Sequence, residues 1–180
     1  MKAVHLLFLS CLLCLIFCSC SSPQGYLSSI PCEDITNAFV SEIFEPNEYK
    51  SYTADEISFL LGENIHADEI SYIYSTDSDD ISEIAVFRSS DPEALLKEVS
   101  AYADELKSEK MSFVKNYLPR ELSVLEGAKV KQFGNYVVLA ILDEERQTNV
   151  FDTADRMLRK SSQMPQTQKR HPAVSFLRRV

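Results

Sequence analysis

The chain has four glycines, three histidines and five cysteines in 180 residues, and each scarcity closes off a class of function. With so little glycine there is no glycine-rich loop whose backbone N–H groups cradle a phosphate, and neither G-x-S-x-G nor H-E-x-x-H occurs. Cys11, Cys14, Cys18 and Cys20 all lie near the amino terminus, which leaves Cys32 alone in the remainder. A lone thiol makes no internal disulfide, so the folded part must be held by its core. No apolar run reaches the roughly 20 residues that a membrane-spanning helix needs.

What the amino terminus does contain is an export signal. Met1 and Lys2 form a short basic start, and residues 6–17 are apolar over about the 7–15 positions expected of a signal-peptide core. Ser19, Ser21, Ser22, Pro23 and Gln24 then close the run, and Ser19 supplies a small residue for cleavage directly before Cys20. Residues 17–20, F-C-S-C, resemble the lipobox of bacterial lipoproteins, whose cysteine takes a diacylglyceryl group and becomes the first residue of the mature chain. Phe17 and Cys18 depart from that pattern, which has Leu at the first position and Ala, Ser or Thr at the second. The resemblance implies a signal peptide over residues 1–19, acylation at Cys20 and attachment to the extracytoplasmic face of a bacterial membrane through the N-terminal lipid. Each buried CH₂ of such chains contributes about 0.8 kcal/mol. Ordinary secretion with cleavage nearby is the other reading of the same residues. Cys11 and Cys14 have C-x-x-C spacing, which inside a signal core carries no redox meaning.

The rest of the chain is one domain's worth, long enough to bury a core and too short for two. Its charge is divided by region. Residues 33–152 hold 26 acidic side chains against 10 basic ones, a net of −16, whereas Arg156, Arg159, Lys160, Lys169, Arg170, Arg178 and Arg179 follow with only Asp155 against them. An acidic body argues against nucleic-acid binding, which needs a basic face.

Residues 20–30 are mostly small and polar and are expected to form a tether. Ile35, Phe39 and Ile43, behind Pro31, Glu33 and Asp34, give a first amphipathic helix, and residues 45–52, with Pro46 and Asn47, are expected to form a loop. Thr53-Ala54-Asp55-Glu56 has the form of a capping box and opens a short helix with Ile57, Leu60 and Leu61 on its apolar side, closed by Gly62. The period then changes to two. Ile70, Tyr72 and Tyr74 alternate with Ser71, Ile73 and Ser75, "TDSDD" interrupts, and residues 84–87 form the second strand of a hairpin. Asp91 and Pro92 start a helix whose apolar stripe is Leu95, Val99, Tyr102, Leu106, Phe113 and Tyr117 and which Pro119 ends, about 27 residues and roughly 40 Å in all. A second hairpin turns at Gly134-Asn135, and the unbroken apolar character of residues 137–142 suggests a central strand. Val150, Ala154, Met157 and Leu158 mark a last helix, and residues 161–180, lacking any period, are expected to be a disordered basic tail. The predicted domain, residues 31–160, is thus α+β, with a four-stranded antiparallel sheet of two hairpins and helices packed mainly on one face.

"EIAVFRSSD", "SFVKNYLPREL" and "GNYVVLAI", in that order and spacing, resemble an uncharacterised lipoprotein family of clostridial Firmicutes called domain of unknown function 4358. The resemblance spans residues 35–142 and implies a membrane-tethered extracytoplasmic protein. It implies no activity, cofactor, ligand or catalytic residue. The basic tail lies outside the family's pattern.

Four groups of residues merit a functional reading, each beside a plainer one. Asp77, Asp79, Asp80 and Glu83 crowd one turn, as carboxylates that bind Ca²⁺ do, but they lack the glycine and spacing of an EF-hand and suit a solvated turn. Cys32 and His66 are a nucleophile and a base with nothing in the sequence to orient them, and His66 suits a cap before the first strand. Tyr117, Pro119, Asn135 and Tyr136 either line a binding surface or stop a helix, make a turn and pack. Lys169, Arg170, Arg178 and Arg179 either meet anionic headgroups or form an inert tail. The resulting expectation is a lipid-anchored binding module without cofactor, metal or chemistry, its partner an envelope protein or cell-wall component. The alternative is an extracytoplasmic enzyme or an accessory subunit of one.

Overall fold

The structure is a computed structural model that describes residues 25–44 and 48–159. Signal peptide, Cys20 and the segment 161–180 lie outside the described residues. Among the described residues, five α-helices and five strands follow in the order α1 (Cys32–Ile43), β1 (Tyr49–Ser51), α2 (Ala54–Leu61), β2 (Glu69–Ser75), β3 (Glu83–Arg88), α3 (Pro92–Tyr117), α4 (Leu122–Glu126), β4 (Lys129–Phe133), β5 (Tyr136–Ile141) and α5 (Glu144–Leu158). A single 3₁₀ turn, Pro119–Glu121, joins α3 to α4. The strands form one antiparallel sheet in the order β1-β2-β3-β5-β4.

The α+β class is as expected, but the sheet has five strands, not four. The extra one, β1, lies inside the stretch expected to be a loop and pairs Tyr49, Lys50 and Ser51 with Ser75, Tyr74 and Ile73 at the sheet edge. Three residues are too few to display a period, and an edge strand needs no apolar face of its own.

The helices also do not keep to one face. Ile84 and Val86 of β3 and Tyr136, Val138 and Ala140 of β5 pack with Ile35 and Phe39 of α1 and Val150, Ala154 and Leu158 of α5. Their neighbours Ala85, Phe87, Val137, Leu139 and Ile141 point the opposite way, to Leu95, Val99, Ala103 and Leu106 of α3 and to Leu61 and Val124. A period of two on strands covered from both sides makes every position apolar, which is why β3 and β5 read as unbroken runs.

Local signals set the element ends as expected. Thr53 and Glu56 form the capping box, with the Thr53 N–H donating to the Glu56 carboxylate at 2.7 Å and the Glu56 N–H to Thr53 Oγ1 at 3.4 Å. Asp91 caps α3 by accepting from the Ala94 N–H, with Pro92 at the first position. Asp143, which was not singled out from the sequence, caps α5 in the same way through the Arg146 N–H. Gly134, with φ +60°, makes the β4–β5 turn in the left-handed region expected of it.

The expected tether overlaps the domain. Tyr26 and Arg159 form an antiparallel bridge, the Leu27 N–H donates to the Leu158 carbonyl at 2.6 Å, and the Tyr26 hydroxyl donates to Asp155 at 2.7 Å. The Tyr136 hydroxyl holds the next stretch by donating to the Ile30 carbonyl at 2.7 Å. The segment docks because an aromatic ring in a polar run found a covered place beside Phe133, something composition alone does not register. Among the described residues no helix is long and apolar enough to cross a membrane.

Candidate binding groove

The apolar stripe of α3 begins as the sequence suggested and then parts from it. Leu95, Val99 and Leu106 are buried and Tyr102 is half-buried, but Phe113 and Tyr117 are 54% and 72% exposed, and Val114 takes the inward position instead. Periodicity marks a helix face without marking how far its partner extends, and the far end of α3 packs against α4 through a rotated face. Phe113 and Tyr117 are left in contact with each other, ring centroids 5.2 Å apart.

Alongside this stripe, α2 and α3 flank an open groove of about 400 Å³. Leu61 and Leu106, buried, and Tyr102, half-buried, form its floor, while Glu105 and Glu109 stand exposed along the α3 rim. Phe59 forms the α2 lip at 88% exposure. Leaving a phenylalanine this open forgoes roughly 1.5–3 kcal/mol of burial. Phe59 continues into a second apolar patch with Tyr52 and Leu60, edged by Asp55 and Glu56. No lysine or arginine lines either depression.

Beneath the floor lies a polar network. Glu83, at the start of β3, accepts from the Tyr72 hydroxyl at 2.6 Å and pairs with Lys110 of α3. Tyr52 stacks on Tyr74 at 4.3 Å and meets Tyr72 edge-on at 5.0 Å. Burial, then the Glu83 charge, pushes the phenols of Tyr72 and Tyr52 up, and burial does the same for Tyr102. All three are neutral hydroxyls at ordinary pH, suited to donating hydrogen bonds and unsuited to acting as phenolate nucleophiles.

The acidic turn does not converge. Asp77 accepts from the Asp79 N–H at 2.9 Å, Asp80 accepts from the Ser82 N–H at 2.9 Å and faces Arg146 at 3.4 Å, and Glu83 is held by Tyr72 and Lys110 as above. Among the described residues no three histidine, cysteine or carboxylate groups gather as they would around an ion. Asp80 sits below the usual carboxylate range because its hydrogen bonds from Ser82 and the Arg146 charge outweigh its burial.

Cys32 and His66 are likewise kept apart. Cys32 is fully buried at the start of α1, its thiol donating to the Glu69 carbonyl at 3.6 Å, and burial pushes its pKa up to about 12. A thiol held there is not a thiolate at neutral pH. His66 is exposed and meets Glu98 of α3, on the other face of the sheet, through Nδ1 at 3.0 Å and its backbone N–H at 2.8 Å. It fastens the loop before β2 to the groove wall.

Of the four motif residues, three serve the fold. Pro119 opens the 3₁₀ turn, Asn135 accepts the Ser89 N–H through its carbonyl at 3.0 Å, and the Tyr136 ring is buried. Tyr117 serves no such end and stands 72% exposed, one turn beyond Phe113 on the helix that walls the groove. Phe59 was not singled out by the sequence, since one aromatic in "ISFLLG" looks like core.

A two-sided antiparallel sheet with an acidic, aromatic-lipped groove on one helical layer defines a small α+β domain. Residues 47–142, more than half of the chain, match the family described as Domain of unknown function (DUF4358), and the chain belongs to that family. The match covers the whole sheet and the groove helices α2 and α3, and leaves α1 and α5 outside it. Comparison with curated proteins and with solved structures returns no match.

Proposed function

We propose that this protein is a lipid-anchored extracytoplasmic binding module, acylated at Cys20, whose α2–α3 groove receives a segment of an envelope partner. The observation that carries the reading is Phe59, 88% exposed at the lip of a groove whose floor is apolar and whose rim is acidic. Open apolar surface rimmed by charge is the usual mark of a contact site. Because Glu105 and Glu109 line it with no lysine or arginine in the groove, Glu98 being held by His66, the chemistry it suits is a segment joining an apolar anchor to basic side chains. Such recognition needs no bond to be made or broken.

The test is a photo-crosslinking side chain at position 59 in the protein as it sits in its own envelope, with position 148 on α5 as the control. A discrete adduct from position 59 that is absent from 148, and that Phe59→Ala suppresses when the crosslinker is moved to position 105, supports the reading. Identical adducts from both positions, or turnover of an envelope substrate with no adduct at 59, would favour the enzyme alternative. Phe59→Ala itself should change folding stability by no more than about 0.5 kcal/mol, since the ring touches little of its own protein.

A further inference from the structure

Among the described residues, four large apolar side chains are left exposed, Phe59, Leu60, Phe113 and Tyr117, and all four belong to α2 and α3. Both helices cover the same face of the sheet, Leu61 of α2 sharing one core with Leu95, Val99 and Leu106 of α3. Phe59 and Leu60 line the groove, whereas Phe113 and Tyr117 follow it toward the carboxyl end of α3. A single row of side chains along α3 joins the groove to the second pair.

Side chains four apart on a helix form one continuous ridge. Glu105, Glu109, Phe113 and Tyr117 make such a row, every member exposed, and at 1.5 Å per residue it runs about 18 Å. Its first half is the carboxylate rim of the groove, and its second half is the aromatic pair, ring centroids 5.2 Å apart. Lys107 and Lys110, which flank the row, are engaged elsewhere by Asp104 and Glu83. A strip with negative charge at one end and open rings at the other is matched by basic side chains facing the carboxylates and apolar ones facing the rings.

The form of the occupant follows from the walls. Every lining residue comes from α2, the turn after it, or α3, so an extended segment finds no strand edge here to pair with. Helix ridges instead take up the grooves of another helix. A second copy of this chain is a poor match, because residues 33–152 bring the same net charge of −16.

We infer that the partner element is an amphipathic α-helix of a second protein, lying along the Glu105–Tyr117 row, with a basic pair at i, i+4 against Glu105 and Glu109 and apolar side chains against Phe113, Tyr117 and Phe59. It needs at least about three turns to cover the row. Phe113 and Tyr117, which the sheet leaves uncovered, are then the far half of one contact surface. The inference rests on the groove reading proposed above and adds the form, length and charge pattern of what the groove receives.

The test keeps the whole chain in its own envelope, with photo-crosslinking side chains placed one at a time at positions 59, 113 and 117, and at 148 as the control. Adducts are mapped to partner residues by peptide mass. All three positions should reach one segment of one other protein, at partner positions three, four or seven apart, with lysine or arginine four apart on the same segment. Glu105→Lys with Glu109→Lys should cut the adduct at 117 by more than about tenfold, although position 117 is untouched. Both glutamates are exposed, so the melting temperature should stay nearly unchanged, and Glu109→Lys alone should show part of the same loss. An adduct at 59 without one at 113 or 117, partner positions two apart as in a strand, adducts to this chain itself, or an undiminished adduct in the charge-reversed variant would each overturn the inference while leaving the groove occupied. No adduct at any of the three, or the same adducts as from 148, would refute the groove reading itself.

Discussion

Replacing Gly134 by alanine probes the docking of Tyr26, and the structure gives the size of the effect in two parts. Gly134 has φ +60°, where a side chain costs roughly 1–2 kcal/mol. A Cβ there would also stand 2.5 Å from the Tyr26 Cβ and 3.1 Å from its Cγ, well inside the ordinary carbon–carbon contact of about 3.5–4.0 Å. Overpacking of that kind costs roughly 1–3 kcal/mol, so Gly134→Ala should lose about 2–5 kcal/mol in all. Tyr26→Gly removes the obstructing atoms, at the expense of its own hydrogen bond to Asp155 and its packing on Phe133. In that background Gly134→Ala should cost only the backbone part, about 1–2 kcal/mol. Urea unfolding of the four proteins measures the difference as an interaction energy of about 1–3 kcal/mol, provided that the slopes stay equal. If the two losses simply add, or Gly134→Ala is neutral, Tyr26 does not rest on the turn.

Phe39→Ala on α1 and Leu95→Ala on α3 should each destabilise strongly, by about 3–5 and about 2–5 kcal/mol, because each is fully or nearly fully buried on its own face of the sheet. Near-neutrality of either in urea unfolding would mean that one face is not covered. Glu83→Gln should cost roughly 1–3 kcal/mol by weakening the bond from Tyr72 and leaving Lys110 without its charge partner, and adding Lys110→Met should restore part of the loss in the same assay. Cys32 ties stability to alkaline pH. Its folded pKa, about 12, lies above the value of 9.0 for a free thiol, so the unfolded chain ionises first and stability falls as pH rises between those values. Cys32→Ala should therefore show a shallower decline of unfolding free energy over that range, and the native thiol should react with a disulfide reagent only as fast as the protein opens.

Much of the fold is written in local chemistry. The Thr53–Glu56 box, Asp91 with Pro92, Pro119 and Gly134 each fix their own element end without reference to the rest of the chain. What the sequence leaves unsaid is which face an apolar stripe meets. The unbroken runs at residues 84–87 and 137–142 contain the signal for a sheet covered on both sides, yet nothing local says that α1 and α5 take one face and α3 the other. The groove was half legible: Leu61, Tyr102 and Leu106 fall on apolar stripes, but Phe59 becomes a lip only because α2 ends at Gly62 beside α3. Phe113 and Tyr117 show the converse, a core pattern that continues past the partner it was meant for.

The proposed anchor, and an envelope partner for the groove, share one premise, that the chain is exported and acylated at Cys20. Intact-mass analysis of the protein extracted from its own membrane tests this most directly. The expected product begins at Cys20 and carries the mass of a diacylglyceryl group, with or without a further acyl chain. A product that retains Met1, or one whose Cys20 is unmodified, would contradict it.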